Sequence, residues 1–68
     1  MLKNNQVWEN TTKIAKLEQN NGSLYAVVFN IRPTGLQFEN VVSFDDEELE
    51  KYLKKLGMHL TEKILTIE

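Results

Sequence analysis

The clearest pattern in the chain is a run of apolar residues from Ser23 to Arg32, rich in β-branched and aromatic side chains, which favours a β-strand. Successive side chains of a strand point to opposite faces of the sheet. Both faces of this strand are apolar: Leu24, Ala26 and Val28 lie on one, and Tyr25, Val27, Phe29 and Ile31 on the other. We therefore expect both faces to be covered over most of the strand.

Turn signals on either side of this strand predict a neighbouring strand before it and another after it. Asn20-Asn21-Gly22 suits a tight hairpin, because Asn and Gly tolerate positive φ, and it makes residues 13–18 a strand rather than a helix. Arg32-Pro33-Thr34-Gly35 is a second turn, followed by a strand over residues 36–44. Its alternation predicts an apolar face (Leu36, Phe38, Val42 and Phe44) and a mostly polar face (Gln37, Glu39, Val41 and Ser43).

Residues 45–56 have the periodicity of an amphipathic helix. Ser43 or Asp45 can cap its N-terminus with a side-chain oxygen, and Gly57 suits the left-handed conformation that ends many helices. Acidic residues open the helix and lysines close it, as the helix dipole favours. The predicted apolar stripe consists of Leu49, Tyr52, Leu53 and Leu56.

The segment His59–Ile67 alternates and is β-branched near its end, which favours a last strand. A second helix beginning at Thr61 is the alternative, and the sequence leaves the choice open. The predicted fold is α+β: a small antiparallel sheet, β-β-β-α-β, with one amphipathic helix packed on one face. We expect residues 1–68 to form a single domain in which residues 1–6 are only loosely ordered.

The composition limits the means of stabilising such a domain. The chain has 68 residues, 41% of them hydrophobic and 26% charged, and domains of this size often rely on a disulfide, a metal or a partner chain. Because cysteine is absent, a second protein chain is the expected support. With no apolar run near 20 residues and no apolar core of a signal peptide, we expect a cytoplasmic protein and no membrane partner. Plentiful Asn, Lys and Ile are typical of low-GC bacteria, their phages and plasmids.

Residues for catalysis are sparse. The single histidine, His59, follows the predicted helix end, where a solvent-facing loop residue is the usual occupant, and the glycines have turn or cap positions. We therefore expect no enzyme, no catalytic or metal site, no cofactor and no small-molecule substrate. The acidic residues 45–50 fit a well-capped helix start; cation binding, or a charged surface that mimics nucleic-acid phosphates, is the alternative.

Large apolar residues are the candidates for partner binding. One helix can cover only one face of the predicted sheet, so Tyr25, Val27, Phe29 and Ile31 would form an apolar patch on the other face. Trp8, the only tryptophan, either packs on the sheet or contacts a partner, since tryptophan is enriched at binding hot spots. We expect this patch or an adjoining edge strand to form a homodimer, the commonest oligomer, or to bind another protein.

The predicted function is therefore that of a non-enzymatic protein-interaction module, a class that includes inhibitors and regulators of host proteins encoded by phages or mobile elements. The alternative is a small nucleic-acid-binding protein in which aromatic residues of the sheet stack on bases. Lys13, Lys16 and Arg32 would then hold the phosphate backbone. The net charge of −2 and the pI of about 5.3 disfavour this alternative.

Overall fold

A computed structural model describes residues 2–66 and confirms the α+β class, with one helix on one face of an antiparallel sheet. The sheet has five strands in the order β4-β3-β2-β1-β5, one more than predicted. The first four strands pair with their neighbours in sequence as hairpins. Strands β4 and β5 lie at opposite edges of the sheet, and the helix connects them along the chain. The elements are β1 Val7–Glu9, β2 Lys13–Asn20, β3 Ser23–Arg32, β4 Gly35–Val42, α1 Asp46–Lys55 and β5 His59–Thr61.

The hairpin of β2 and β3 is the centre of the sheet, and its turn is the predicted one. Asn20 pairs with Ser23, which leaves Asn21 and Gly22 as the two turn residues. Both have positive φ, 53° and 82°. A two-residue turn with positive φ at both positions matches the right-handed twist of the flanking strands, so the sequence signal and the backbone agree.

The core lies between the sheet and α1. Leu49 and Leu53 of α1 are fully buried, while Tyr52 and Leu56 are partly buried beside them, which confirms the predicted stripe. Strands β1 to β4 contribute alternate residues that point toward the helix. The buried cluster comprises Leu2, Trp8, Ala15, Leu17, Leu24, Ala26, Val28, Val42, Leu49, Leu53 and Met58.

The helix ends as predicted but begins differently. At its C-terminus Gly57 has φ 75°; its N–H donates to the Lys54 carbonyl at 3.0 Å, and that of Met58 donates to Leu53 at 3.1 Å. This is the Schellman arrangement, in which an apolar residue after the glycine packs back on the helix. At the N-terminus Asp45 is the capping residue, but its side chain makes no capping hydrogen bond. No helix within residues 2–66 is long and apolar enough to cross a membrane.

Two predictions about strands were wrong. The short strand β1 was missed, because Val7 and Trp8 are followed by polar residues and three residues give too little alternation to detect. The last strand is shorter than predicted: β5 covers His59–Thr61, and residues 62–66 are neither strand nor helix. Ile67, the predicted end of that strand, lies outside the described residues.

A β-bulge in β4 changes the predicted faces of that strand. Phe29 pairs with Phe38 but Val28 pairs with Asn40, so Glu39 is an extra residue without an opposite partner. An extra residue reverses the alternation beyond it. The predicted grouping of Phe38 with Val42 and Phe44 on one face is therefore wrong. Val41 shares the face of Phe38, while Val42 points to the helix and is buried.

The first described residues are tied to β2, in contrast to the loose attachment expected for them. The Asn5 N–H donates to the Leu17 carbonyl, and the Leu17 N–H donates to the Gln6 carbonyl, both at 2.9 Å. Leu2 is only 5% exposed and belongs to the core. The apolar side chain of Leu2, in a stretch that is otherwise polar, anchors the segment.

Candidate protein-interaction surface

The sheet has an open face, which is the face turned away from α1. The alternation of β3 places Leu24, Ala26 and Val28 in the core. Its other side chains, Tyr25, Val27, Phe29 and Ile31, therefore point to the open face, as predicted. None of the four is fully buried, and Ile31 is 38% exposed.

Strand β4 continues the apolar surface of β3. Leu36 pairs with Ile31, Phe38 with Phe29 and Val41 with Val27, and paired residues of an antiparallel sheet share a face. The rings of Phe29 and Phe38 meet edge to face with centroids 6.1 Å apart. Leu36, Phe38 and Val41 are 44%, 58% and 52% exposed. Together these strands form a hairpin patch of six residues: Val27, Phe29, Ile31, Leu36, Phe38 and Val41.

The other half of the open face is largely covered. Val7 of β1 and Ile14 of β2 point to this face, opposite Lys16 and Phe29 respectively, yet both are buried. Residues 64–66 lie beside Lys16 and Asn5 and line a shallow hollow with them. Since the chain itself covers β1 and part of β2, the hairpin patch is the part of the open face left exposed.

Trp8 belongs to the opposite face. It is 7% exposed and lies in the core cluster under α1. Its indole Nε1–H points to the Gln6 side-chain oxygen at 3.4 Å. The packing interpretation therefore describes its position, and Trp8 lies apart from the hairpin patch.

The three basic residues of the nucleic-acid alternative do not form one surface. Lys13 and Arg32 lie on the helix-side face of their strands, whereas Lys16 lies on the open face. Each also has a local partner. The Lys16 ammonium is 3.3 Å from Glu18, and the Arg32 Nε–H donates to the Gln37 side-chain oxygen at 3.0 Å.

Lys13 has the closest of these partners. Its ammonium donates to the carboxylate of Glu39 and, at 2.7 Å, to the side-chain oxygen of Asn30. The hydrogen bond from Lys13 is the main reason why the pKa of Glu39 lies below its usual value, with a second hydrogen bond from Asn30 adding to it. The bulged residue Glu39 is thus held against the neighbouring strands instead of projecting freely.

The polar groups near the helix C-terminus serve the fold. Asn10, which sequence reasoning overlooked, donates from Nδ2 to the Leu56 carbonyl at 2.8 Å and accepts from the N–H groups of Thr12 and Lys13. Because Asn10 joins the β1–β2 loop to an unpaired helix carbonyl, it closes this end of the molecule. An Asn two positions after Trp8, followed by Thr11-Thr12, was the available signal.

His59 is exposed and lies across from Glu9 on β1. The Glu9 carboxylate accepts from Lys63, with an Oε1 to Nζ distance of 2.8 Å. Among residues 2–66, no group of three or more His, Asp or Glu side chains is placed to hold a metal ion. The acidic residues of the first helical turn are exposed, and Glu48 lies 3.7 Å from Lys51 one turn later.

Half of the hairpin patch was missed from the sequence. Leu36 and Phe38 were assigned to an apolar face of β4, with no suggestion that this face is exposed. The two-residue Pro33-Thr34 turn carried the needed signal, since it sets Leu36 opposite Ile31 and Phe38 opposite Phe29. Those β3 residues were already expected on the face that the helix leaves uncovered.

Comparison with known proteins adds no further assignment to this surface: no protein family, curated protein or solved structure matches the chain.

Proposed function

We propose that this domain is a non-enzymatic protein-interaction module that binds an apolar surface of another protein through the hairpin patch. The observation that carries the proposal is a contiguous apolar surface of six side chains on one face of β3 and β4, four of them exposed and two, Val27 and Phe29, partly buried. Contiguous apolar patches of this kind on small domains mark interaction sites, because leaving them in water costs free energy.

The surroundings of the patch favour an apolar partner over a charged one. Between Arg32 and Asp45 the chain has a single charged residue, Glu39, and Lys13 already pairs with it. The aromatic pair Phe29 and Phe38 stands near the middle of the patch, where anchor residues of interfaces usually lie. An inhibitor or regulator that works by occupying a surface of a larger protein is the role we propose.

The experiment uses a photo-cross-linking amino acid in place of Phe38, with Glu47 on the outer surface of α1 as the matched control position. The protein is produced in its own host, and a partner cross-linked from position 38 alone is purified for calorimetry. We expect binding with a negative heat-capacity change and little dependence on salt. Phe38→Glu should weaken it at least about tenfold, which corresponds to about 1.4 kcal/mol, and Glu47→Gln should leave it unchanged.

Two outcomes would refute the proposal. One is a partner that cross-links equally from both positions and binds Phe38→Glu normally. The other is tight binding of single- or double-stranded DNA or RNA with a steep loss of affinity as salt rises, which is the mark of phosphate contacts. The second outcome would establish the nucleic-acid alternative in its place.

A further inference from the structure

The strand β4 is an open edge of the sheet. It spans eight residues, Gly35–Val42, whereas the opposite edge strand β5 has only three. A strand at an edge presents unpaired N–H and C=O groups and is a template for pairing with another strand. Because β4 is longer than β5, it presents more unpaired main-chain N–H and C=O groups to an added strand.

The direction of its free main-chain groups follows from the ladder. The Ile31 N–H donates to the Thr12 carbonyl at 2.8 Å, which is toward β2 and away from β4. In an antiparallel ladder the N–H and C=O of one residue point to the same side, and successive residues alternate. Leu36 and Phe38 lie opposite Ile31 and Phe29, so their N–H and C=O groups point outward from the sheet.

The residues with free main-chain groups are also the exposed apolar residues of β4. An added strand would therefore gain hydrogen bonds from Leu36 and Phe38 and would cover their side chains on the open face at the same time. After Phe38 the bulge at Glu39 interrupts the regular spacing, and the next outward residue is Val41, three positions on. A regular partner strand can thus engage Leu36 and Phe38 together, but not Val41.

We infer that a second copy of this chain occupies the edge, with β4 pairing antiparallel to β4 about a two-fold axis at Gln37. In this register Leu36 of each copy stands opposite Phe38 of the other, and each such pair exchanges two hydrogen bonds. An antiparallel partner strand must present outward N–H and C=O groups on two residues that are two positions apart. A second copy of β4 presents them on Leu36 and Phe38.

The charges around β4 suit pairing with itself. Self-pairing brings identical residues together, so a charged edge would repel its copy. Glu39 is the only charged residue between Arg32 and Asp45, and its carboxylate is held by Lys13 on the side of β2 and β3. Two copies of β4 therefore meet without an unpaired like charge at the contact.

Pairing of β4 with β4 also limits the assembly to two copies. A contact between identical surfaces ends at two copies, whereas pairing of β4 with β5 of the next copy would continue into a filament. The short β5, with only three residues, disfavours that second mode. Because the two-fold axis is perpendicular to the sheet, both hairpin patches lie on the same side and merge into one larger surface.

The test compares Phe38→Pro with Phe38→Ala by sedimentation equilibrium over a dilution series. Both variants lose the ring, but only proline also removes the outward N–H, and an edge position tolerates it. We expect a monomer–dimer equilibrium for the wild type, weaker association of Phe38→Ala, and association of Phe38→Pro at least about tenfold weaker still. A wild type that stays monomeric at its highest soluble concentration, or equal association of the two variants, would overturn the inference.

Amide hydrogen exchange of the wild type provides a measurement that needs no variant. As concentration rises, the amides of Leu36 and Phe38 should become protected while that of Val41 stays fast. Protection that does not change with concentration would contradict the β4 pairing, even if Phe38→Pro failed to fold. Binding of a different protein by a monomeric wild type would overturn this inference and leave the proposed function standing.

Discussion

Single side chains differ widely in what they contribute, and burial between the helix and the sheet decides most of the difference. Leu53 is fully buried against β3, whereas Leu36 is 44% exposed at the sheet edge. Removing a buried side chain loses its transfer free energy and leaves a cavity, while an exposed one loses little. The same substitution should therefore separate core residues from surface residues.

We expect Leu53→Ala to lower the free energy of unfolding by about 2–5 kcal/mol. A domain of this length has about 3–10 kcal/mol in total, so the variant will be partly unfolded at room temperature or will melt far below the wild type. Leu36→Ala is the matched control and should shift the melting temperature only slightly. Circular-dichroism melts in dilute solution check both, and equal shifts would contradict the assigned core.

The ion pair of Glu39 with Lys13 predicts a dependence on pH. The pKa of Glu39 is lowered in the folded state, mainly by the hydrogen bond from Lys13. A lowered folded-state pKa stabilises the fold above the ordinary value of 4.5, and this contribution is lost as the pH falls through the folded-state pKa. Since the carboxylate is at the surface, the effect will be small.

The measurement is the melting temperature of wild type and Glu39→Gln between neutral and strongly acidic pH. The wild type should melt slightly higher than Glu39→Gln at neutral pH. The difference should shrink as the pH falls below 4.5 and vanish once the pH lies below the lowered folded-state pKa of Glu39. Glu62→Gln is the control, because Glu62 has no ion-pair partner within the described residues. A difference that grows as the pH falls would contradict the assigned sign.

Individual elements show which local signals are sufficient on their own. The β2–β3 hairpin and the helix with its glycine end were predictable, because turn residues and caps act within a few positions. The strand β1 and the bulge were not. Val7 and Trp8 are buried on opposite faces by distant residues, and Glu39 is an ordinary strand residue whose extra position becomes visible only against β3.

The same contrast explains the candidate surface. Val27, Phe29 and Ile31 were expected on an uncovered face, because a single helix cannot cover both sides of the sheet. The position of Val41 on this face depends on the bulge, and the exposure of Phe38 and Val41 depends on how far the chain after β5 reaches over the open face. Both are properties of the assembled molecule. A hydrophobic pattern identifies a side chain whose exposure to water is unfavourable, but it does not show whether another part of the chain buries that side chain.

The β2–β3 turn allows a test at the level of one element. Gly22 has φ 82°, and an added Cβ would meet no atom within 4 Å, so any effect of substitution arises from backbone strain and not from a clash. Gly22→Val should cost about 1–2 kcal/mol, and Gly22→Asn clearly less, because asparagine tolerates this conformation. Thermal melts of the two variants compare them, and equal losses would show that positive φ is not what the turn requires.

At the scale of the whole molecule, one helix can bury only one face of the sheet, so the two faces differ in exposure. The helix side holds the buried core, which includes residues from Leu2 to Met58. On the open side, Lys63 pairs with Glu9 of β1 and residues 64–66 lie beside Lys16 of β2, which leaves β3 and β4 uncovered. The same shortage of covering elements thus accounts for both the exposed hairpin patch and the free edge of β4.

Phe29 and Phe38 lie in contact on this surface, yet they should respond differently to a charge. Phe29 sits on an inner strand between Ile14 and Phe38 and is partly buried, whereas Phe38 is 58% exposed on the edge strand. Phe29→Glu should therefore destabilise the fold by about 1–3 kcal/mol, as expected when a partly buried position receives a charge. Phe38→Glu should change stability by less than about 1 kcal/mol while removing the centre of the exposed apolar surface.

Two measurements on the same variants check this difference: urea unfolding for stability, and fluorescence of a hydrophobic dye that binds exposed apolar surface. The wild type should bind the dye while fully folded, and Phe38→Glu should bind much less with a nearly unchanged unfolding midpoint. Glu47→Gln, on the other side of the molecule, should alter neither quantity. If Phe38→Glu unfolded as readily as Phe29→Glu, Phe38 would belong to the hydrophobic core. The hairpin patch would then not be a binding surface.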